Sequence, residues 1–340
     1  MVNLINKHKP KTTILVPLYE RKEFSLRLLE YYNQKKICYP FFLADGSKKP
    51  QFTKGFLKKK YRFIKIKYKK FPHDKNFSFF AKKMADSIKL IKTNYIIMLT
   101  NDDFLNLRFL LKAERYLDNK KYFNFVGGLV YDFKILQLFT VSNDFGLFRF
   151  VGKHYSGLYR DIKFNSVIRR IKNFNSALSL ECLFKKKTLL NIWDLAYKFR
   201  VQNSLEYIWF FLIIPLLEGK KKFLKMPSVL RQSNTFFSEG QLLPNLEIDL
   251  ERYNNFVNFL IKEKNIKEKK LIKLLKDLKI FVGINQSIKE KIYKIVFTTY
   301  IRIKKIFLKI NSYLFHYILL LFLQNKKKYF KIYKSIDNYF

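Results

Sequence analysis

Cysteine is nearly absent. The chain of 340 residues has two, Cys38 and Cys182, too few for a disulfide framework and without metal-ligand spacing. A reducing, cytoplasmic setting fits that usage. Histidine is almost as scarce: His8, His73, His154 and His316 are scattered, and no His-x-x-His or mixed Cys/His spacing of a zinc site occurs. Neither a GxGxxG fingerprint nor a Walker phosphate loop is present, which speaks against dinucleotide and ATP chemistry. The longest largely apolar runs, Tyr207–Leu217 and Tyr313–Leu323, hold 11 residues each. A membrane-spanning helix needs roughly 20, so none is expected. Met1 to Lys11 is polar and basic with no apolar stretch, so no secretory signal is expected either. There is no internal repeat and no Gly/Ser linker.

Acids are the most telling shortage. With 26 Asp and Glu against 68 Lys and Arg, the formal charge is +42, and anionic substrates, anionic lipid and nucleic acid become the candidate partners. The chain is heavy in Lys, Phe, Tyr, Ile and Asn, the residues of A/T-rich codons. Drift in composition therefore accounts for many lysines, but not for the missing acids. The basic charge is Lys-rich, Arg-poor and spread along the whole chain, which argues against a shaped nucleic-acid groove.

What is present is a core. Apolar residues make up 49%, enough for one large domain plus an appendage. Strand and helix signals alternate through the first half. Thr12–Val16, Phe41–Ala44, Phe63–Tyr68, Tyr95–Leu99 and Phe123–Val130 read as strands. Glu23–Tyr32, Phe77–Ile91 and Leu105–Leu117 carry helical spacing. The order predicts an α/β fold with a doubly wound, mostly parallel sheet. Residues 131–175 mix aromatics, basic residues and scattered glycines, and read either as an active-site loop region or as a plain excursion. Ala177–Phe184 then reads as a strand, Lys187–Tyr197 and Leu205–Leu217 as helices, and Phe223–Met226 as a strand ending at Pro227. Beyond about Gly240 the chain turns basic and mainly helical, with Lys262–Lys279 as an amphipathic helix. The expected division is a domain over 1–240 and a basic C-terminal region over 241–340.

The most informative stretch is Tyr95–Leu99 followed by Thr100-Asn101-Asp102-Asp103. A buried strand stops at two adjacent carboxylates, and a helix follows. Ligands of open α/β sheets bind at the carboxyl ends of the strands, where paired carboxylates can hold a hard divalent cation against a diphosphate. The plainer alternative is that Asn101, Asp102 or Asp103 caps the helix.

Two other strand ends are punctuated in the same way: Val16-Pro17-Leu18-Tyr19-Glu20-Arg21, and Leu43-Ala44-Asp45-Gly46-Ser47. Further on come Leu205-Glu206-Tyr207, with Gly219 thirteen residues beyond Glu206, and Val229-Leu230-Arg231-Gln232-Ser233-Asn234 after Pro227. In order and spacing these resemble the glycosyltransferase 2-like families of the nucleotide-diphospho-sugar transferase (GT-A) fold, and Phe77–Phe104, with Ile91-Lys92-Thr93-Asn94-Tyr95 before the strand, is similar to a bacterial subgroup linked to surface polysaccharide synthesis. The matching motifs are "VPxYN/E", "DDGS", "DxDD", "ED…G" and "YRxHxxS". The resemblance spans about residues 12–234. There are departures: Thr100 stands for the first carboxylate of the metal motif, Ala44 for the first Asp of "DDGS", and Tyr207 for the Asp of "ED". Gln232 and Asn234 stand where a histidine ligand would be. The pyrophosphorylase-type "GGxGxRL" loop is missing, which disfavours a nucleotidyltransferase on the same fold.

The resemblance implies a hexosyltransferase-type enzyme that moves a sugar from a nucleotide-diphospho-sugar to a polysaccharide or lipid-linked acceptor, with inversion. Pro17, Tyr19 and Glu20 would line the nucleotide pocket, and Asp45 would bond base or ribose. Asp102 and Asp103 would hold Mg²⁺ or Mn²⁺. Glu206 would be the general base, with Glu181 in reserve, and Arg231 would meet phosphate. Each has a plainer reading. Asp45 fits a simple turn. Glu206 lies three residues after Asn203 in a near capping box. Arg231 suits a surface salt bridge, and Lys82 or Lys83 suits solvent as well as donor phosphate. From Ser287 onward, twelve Lys and Arg face two acids, with Ile301, Ile303, Ile306, Phe307 and Ile310 near one helical face. That pattern suits either an interfacial helix on the inner membrane face or a helix packed on the domain. The competing reading of the whole chain is a non-enzymatic basic protein that binds membrane surface or nucleic acid.

Overall fold

A computed structural model describes residues 9–137, 146–153, 161–173, 181–232 and 250–278. The first strand, β1 (Thr12–Leu18), is β-branched and buried, and leads into helix α1 (Lys22–Gln34). Strand β2 (Phe41–Asp45) is buried throughout, helix α2 (Lys54–Lys60) buries only Leu57, and strand β3 (Ile66–Lys70) is no more than half-buried. Helix α3 (Phe77–Leu90) starts at Asn76, whose side chain accepts the Phe79 amide, and leads to β4 (Tyr95–Met98). The two-residue β5 (Phe104–Leu105) precedes α4 (Leu107–Asn119). Next come β6 (Phe123–Gln137), β7 (Gly146–Lys153), α5 (Val167–Lys172), β8 (Leu183–Lys185), α6 (Lys186–Lys198), α7 (Ser204–Glu218), β9 (Lys220–Gln232), α8 (Leu250–Glu263) and α9 (Lys269–Asp277).

The strands form one sheet in the order β3-β2-β1-β4-β8-β6-β9-β5, with β7 paired to β6. The first four are mutually parallel, as expected; β8 enters antiparallel between β4 and β6, while β6 and β9 run parallel. Successive β1 residues serve opposite faces. Ile14 and Val16 join a core with Leu28, Leu57 and Leu110, under α1, α2 and α4. Leu15 joins a core with Met84, Trp193 and Phe210, under α3, α6 and α7. Helices therefore cover both faces, the doubly wound arrangement.

Several expectations need correction. The helix after β4 begins at Leu107, because β5 first pairs with Val229 and Leu230 of β9. Its cap is Asn106, which accepts the Arg108 and Phe109 amides at 2.8 and 3.3 Å, so capping does not explain Asp102 or Asp103. Strand β9 runs through Pro227 instead of ending there; the register shifts beside Leu129 absorb a residue with no amide proton. Part of the unread stretch 131–175 is a hairpin of β6 and β7. The helix expected over Lys262–Lys279 is two helices, α8 and α9, broken where Asn265 takes a φ of 48°. Both share the core of α6 and α7 through Tyr253, Phe256, Leu271 and Leu275. Residues 174–180, 233–249 and 279–340, with the expected tail helix, lie outside the described residues.

The tightest joint of the sheet is Gly128. A Cβ there would meet Ser228 Cβ at 2.7 Å, Met226 O at 2.9 Å and Phe109 Cε2 at 2.9 Å, from β9 and α4. Gly128→Ala is expected to cost about 1–3 kcal/mol by overpacking. Gly55, inside α2 with nothing within 4 Å, is the contrast: Gly55→Ala should gain roughly 0.5–1 kcal/mol. Urea melts of the two variants decide both signs.

Candidate active site

Chain order reverses at β1: the connection to β2 leaves on one side, and β4 docks on the other. The switch point lies between the carboxyl ends of β1 and β4, the place where open α/β sheets bind ligands. Arg21 and Asp102 meet across it, Nη2 to Oδ2 at 2.5 Å, with side chains 18% and 8% exposed. Asn101 ties the same two loops, donating to Arg21 O and Ser25 Oγ at 3.0 Å each. Beneath them Arg27, buried within α1, donates to Asp102 O at 3.2 Å and Gln232 Oε1 at 2.7 Å. Its guanidinium also lies over the Phe24 and Phe104 rings, at 5.0 and 5.5 Å.

Asp103 is buried. Its Oδ2 accepts the Thr100 hydroxyl at 2.5 Å and its Oδ1 the Gln232 amide at 2.9 Å. Burial, and then the neighbouring Asp102 carboxylate, push its pKa up to about 8, although the Thr100 bond, the Arg231 charge and the Gln232 amide pull the other way. Two carboxylates with one raised in this way form a set that a divalent cation would relieve. They fit the few protein ligands such an ion takes when phosphate oxygens supply the rest. No cluster of three or more His, Cys, Asp or Glu that could hold a metal occurs among the described residues. Two buried donors near Asp102 and Asp103, Arg21 Nε and Gln232 Nε2, have no hydrogen-bond partner there.

The β2 end is built from Asp45, fully buried. Its Oδ1 accepts the Ser47 amide at 2.9 Å; its Oδ2 accepts the Gln51 amide at 2.9 Å and the Tyr68 hydroxyl at 2.5 Å. Burial alone would raise its pKa, but these bonds outweigh it and hold the carboxyl below its ordinary value. Glu20, at the β1 end, takes a left-handed φ of 51°, strained for a residue with a side chain. Ser47 Oγ accepts its amide at 2.9 Å, and its carboxylate accepts the Lys48 amide at 2.5 Å. Pro17 lies beside Ala44 in the β1/β2 register. Tyr19 stacks on His73, with ring centroids 5.8 Å apart.

Beside this loop is a pair that sequence reading did not assemble. Lys83 and Asp74 form an ion pair with side chains 2% and 6% exposed. Asp74 also sits where a Gly46 Cβ would be, 2.0 Å from that point, so only glycine fits. Desolvation raises the Asp74 pKa, and Lys83 opposes the shift. Lys82, by contrast, is exposed and bonds Asp86 one turn on. Arg21, Arg27 and Asp74 were also unassigned. For Arg27 there was a signal, a charge inside the apolar stripe of Phe24 and Leu28.

The remaining candidates divide. Helix α6 begins where Lys186 donates to Asn94 at the foot of β4, and Glu206 stands in the first turn of the next helix, α7. Tyr207 there lies 6.0 Å from the Phe77 ring, ring to ring, at the start of α3. Glu206 itself is buried: Oε1 accepts Arg252 Nε at 2.9 Å, and Oε2 accepts Arg252 Nη2 at 3.3 Å and the Gln202 amide at 2.8 Å. It tethers α8 to the α6–α7 turn, while Asn203 accepts its amide at 3.0 Å. Glu181 is half-buried, two residues before the Leu183 that pairs with Ile97 of β4. Its charge acts on Lys221 and Cys182. Arg231, half-buried at the end of β9, acts on Asp103.

The Asp45 shift sets a pH dependence. A folded pKa below the ordinary 3.8 means that the ionised form adds stability above pH 3.8, and that this is lost as pH falls through the folded value. Asp45→Asn should therefore cost about 2–3 kcal/mol at pH 7, as charged hydrogen bonds are lost. The gap to the parent should narrow in urea melts stepped down to about pH 3.

No protein-family model matches the chain, and no curated protein matches it in sequence. Solved structures do match in fold. Staphylococcus aureus TarS 1–349 superposes with a TM-score of 0.51 at 13% identity, over 83% of this chain and 77% of that one. TarS 1–349 in complex with UDP-GlcNAc gives 0.49 at 13% identity, and in complex with UDP 0.47 at 14%, each over 78% of this chain and 70% of that one. The chain has a TarS-like mixed α/β fold.

Proposed function

We propose that this protein is a glycosyltransferase that takes a sugar from a nucleotide-diphospho-sugar and places it on a glycan or lipid-linked acceptor, with inversion. The observation that carries the reading is the switch point between β1 and β4, where Arg21, Asp102 and Asp103 converge with two buried donors that lack hydrogen-bond acceptors among the described residues. A diphosphate supplies such acceptors, and backbone and guanidinium donors hold it well. The TarS-like fold supports the same reading, since TarS 1–349 has been crystallised with UDP-GlcNAc and with UDP.

Asp102 and Asp103 are the residues that would hold Mg²⁺ or Mn²⁺, which supplies neutralising charge to the diphosphate as it leaves. Arg21 and Arg231 add fixed positive charge on the same side. Pro17, Tyr19 and Glu20 flank the nucleotide, and Asp45 bonds its base or ribose. In the transfer, an acceptor hydroxyl oxygen bonds the anomeric carbon as the bond to phosphate oxygen breaks. The nucleoside diphosphate leaves with the electron pair, and the hydroxyl proton passes to a carboxylate. Glu181 suits that role through its partial exposure and its place beside the open end of β4. Glu206 takes it only when Arg252 withdraws.

Isothermal titration with UDP-GlcNAc, GDP, CMP and dTDP sugars in the presence of Mn²⁺ tests the donor. Asp102→Asn and Asp103→Asn should each abolish metal-dependent binding while the fold persists. Parent-like binding by both variants would overturn the metal assignment. In turnover assays Glu181→Gln should lose roughly 10²–10⁴-fold with donor affinity unchanged. If Glu206→Gln shows that loss and Glu181→Gln does not, the base is Glu206. If no nucleotide sugar binds at all, the chain is a basic surface-binding protein.

A further inference from the structure

We infer that helix α2 and the turn after it form a docking surface for an anionic phospholipid membrane. From Gly46 to His73 the chain carries eleven Lys and Arg and no acid. All but Lys70 are exposed, and none of the eleven forms an ion pair among the described residues. Part of this charge has a plain cause. Strand β3 is the edge of the sheet, and outward Lys65, Lys67 and Lys69 guard it against pairing with another chain.

That cause does not reach α2. Its seven residues bury one side chain, Leu57, and turn Lys54, Phe56, Lys58, Lys59 and Lys60 to solvent. Phe56 is 40% exposed and Phe63, just beyond, 57%. Lysines lie against both rings: Lys60 Nζ is 5.6 Å from the Phe56 centroid and Lys36 Nζ 4.8 Å from that of Phe63. Exposed aromatic rings flanked by lysine stems form an interfacial pattern: the rings enter the acyl boundary while the ammonium groups meet lipid phosphates. A soluble anion would use the charge but leave the two phenylalanines unexplained. The surface belongs to the connection between β2 and β3. It stands independently of the glycosyltransferase reading, and its test involves no nucleotide.

The native tryptophans, Trp193 and Trp209, are 1% and 2% exposed, so brominated chains cannot reach them, and vesicle-dependent quenching reports the indole placed in the patch. Full-length Phe63→Trp is mixed with vesicles of phosphatidylcholine alone or of equal phosphatidylglycerol and phosphatidylcholine, with and without brominated acyl chains. Blue-shifted, bromine-quenched emission is expected with the anionic vesicles only, fading towards 1 M salt. Lys58→Gln/Lys59→Gln/Lys60→Gln should lower partitioning at least about tenfold, since near-surface lysines act roughly additively. Lys225→Gln/Lys262→Gln/Lys276→Gln, exposed elsewhere, should not. Sedimentation with vesicles while the introduced indole stays unquenched would assign binding to another part of the chain and overturn the proposal. So would a triple α2 variant within twofold of the parent, or patch-dependent binding of a labelled single-stranded oligonucleotide without vesicle binding.

Discussion

Two carboxylates held side by side at the end of a buried strand repel each other, and much of this molecule's first half answers that repulsion. Asp102 is met by Arg21 from the end of β1, and its backbone oxygen by Arg27 from within α1. Asp103 is met by a hydroxyl three residues back and by the amide of Gln232. These partners come from four segments, so the charge problem at β4 fixes how the β1 loop, α1 and the end of β9 sit together. The loops at the carboxyl ends of β1 and β4 are therefore held in one arrangement by the protein's own groups.

The same logic runs through the other buried acids. In a chain with a formal charge of +42, a carboxylate never lacks a cation in solution, yet each buried one here is fixed by particular donors. Glu114 accepts the Lys11 amide and the Thr12 hydroxyl, at 2.8 and 2.9 Å, pinning α4 to the start of β1. Glu206 anchors α8 through Arg252, and half-buried Asp161 is held likewise, accepting Lys222 Nζ at 2.8 Å and the Phe223 amide at 2.7 Å. Most of these bonds span tens of residues. They select one arrangement of helices on the sheet more sharply than apolar contact alone, which tolerates substitution and sliding.

The strands whose ends carry punctuation were legible in the sequence because two signals coincide there: a short apolar run, and a residue type that cannot continue it. Strand β4 and the helix α3 before it were readable for that reason. Strand β5 was not, since two residues carry no period, and their pairing with β9 is a tertiary event. Pro227 misled for the converse reason: the rule that proline ends a strand holds only where the ladder is regular, and the register shifts beside Leu129 free that position. At the site, single residues were legible and their partners were not. Asp74 and Lys83 are separated by a helix start, and nothing in their local spacing says that they meet under Gly46.

Three departures from the resembled family's motifs share a physical direction: Thr100, Ala44 and Tyr207 each replace a carboxylate with a group that the local packing satisfies. Thr100 puts a hydroxyl donor where a third negative charge would have faced Asp103, whose pKa already stands near 8 from burial and Asp102. Ala44 is fully buried against Pro17 in the β1/β2 register, where a charge would have no water and no donor. Tyr207 packs its ring on Phe77 and Trp193, at centroid distances of 6.0 and 5.9 Å. With fewer acids at the strand ends, fixed cations such as Arg21 carry more of the work of receiving an anion. On the proposed reading, such a site would receive a diphosphate with less dependence on a metal than one built on three carboxylates, because the guanidinium is already in place and permanently charged.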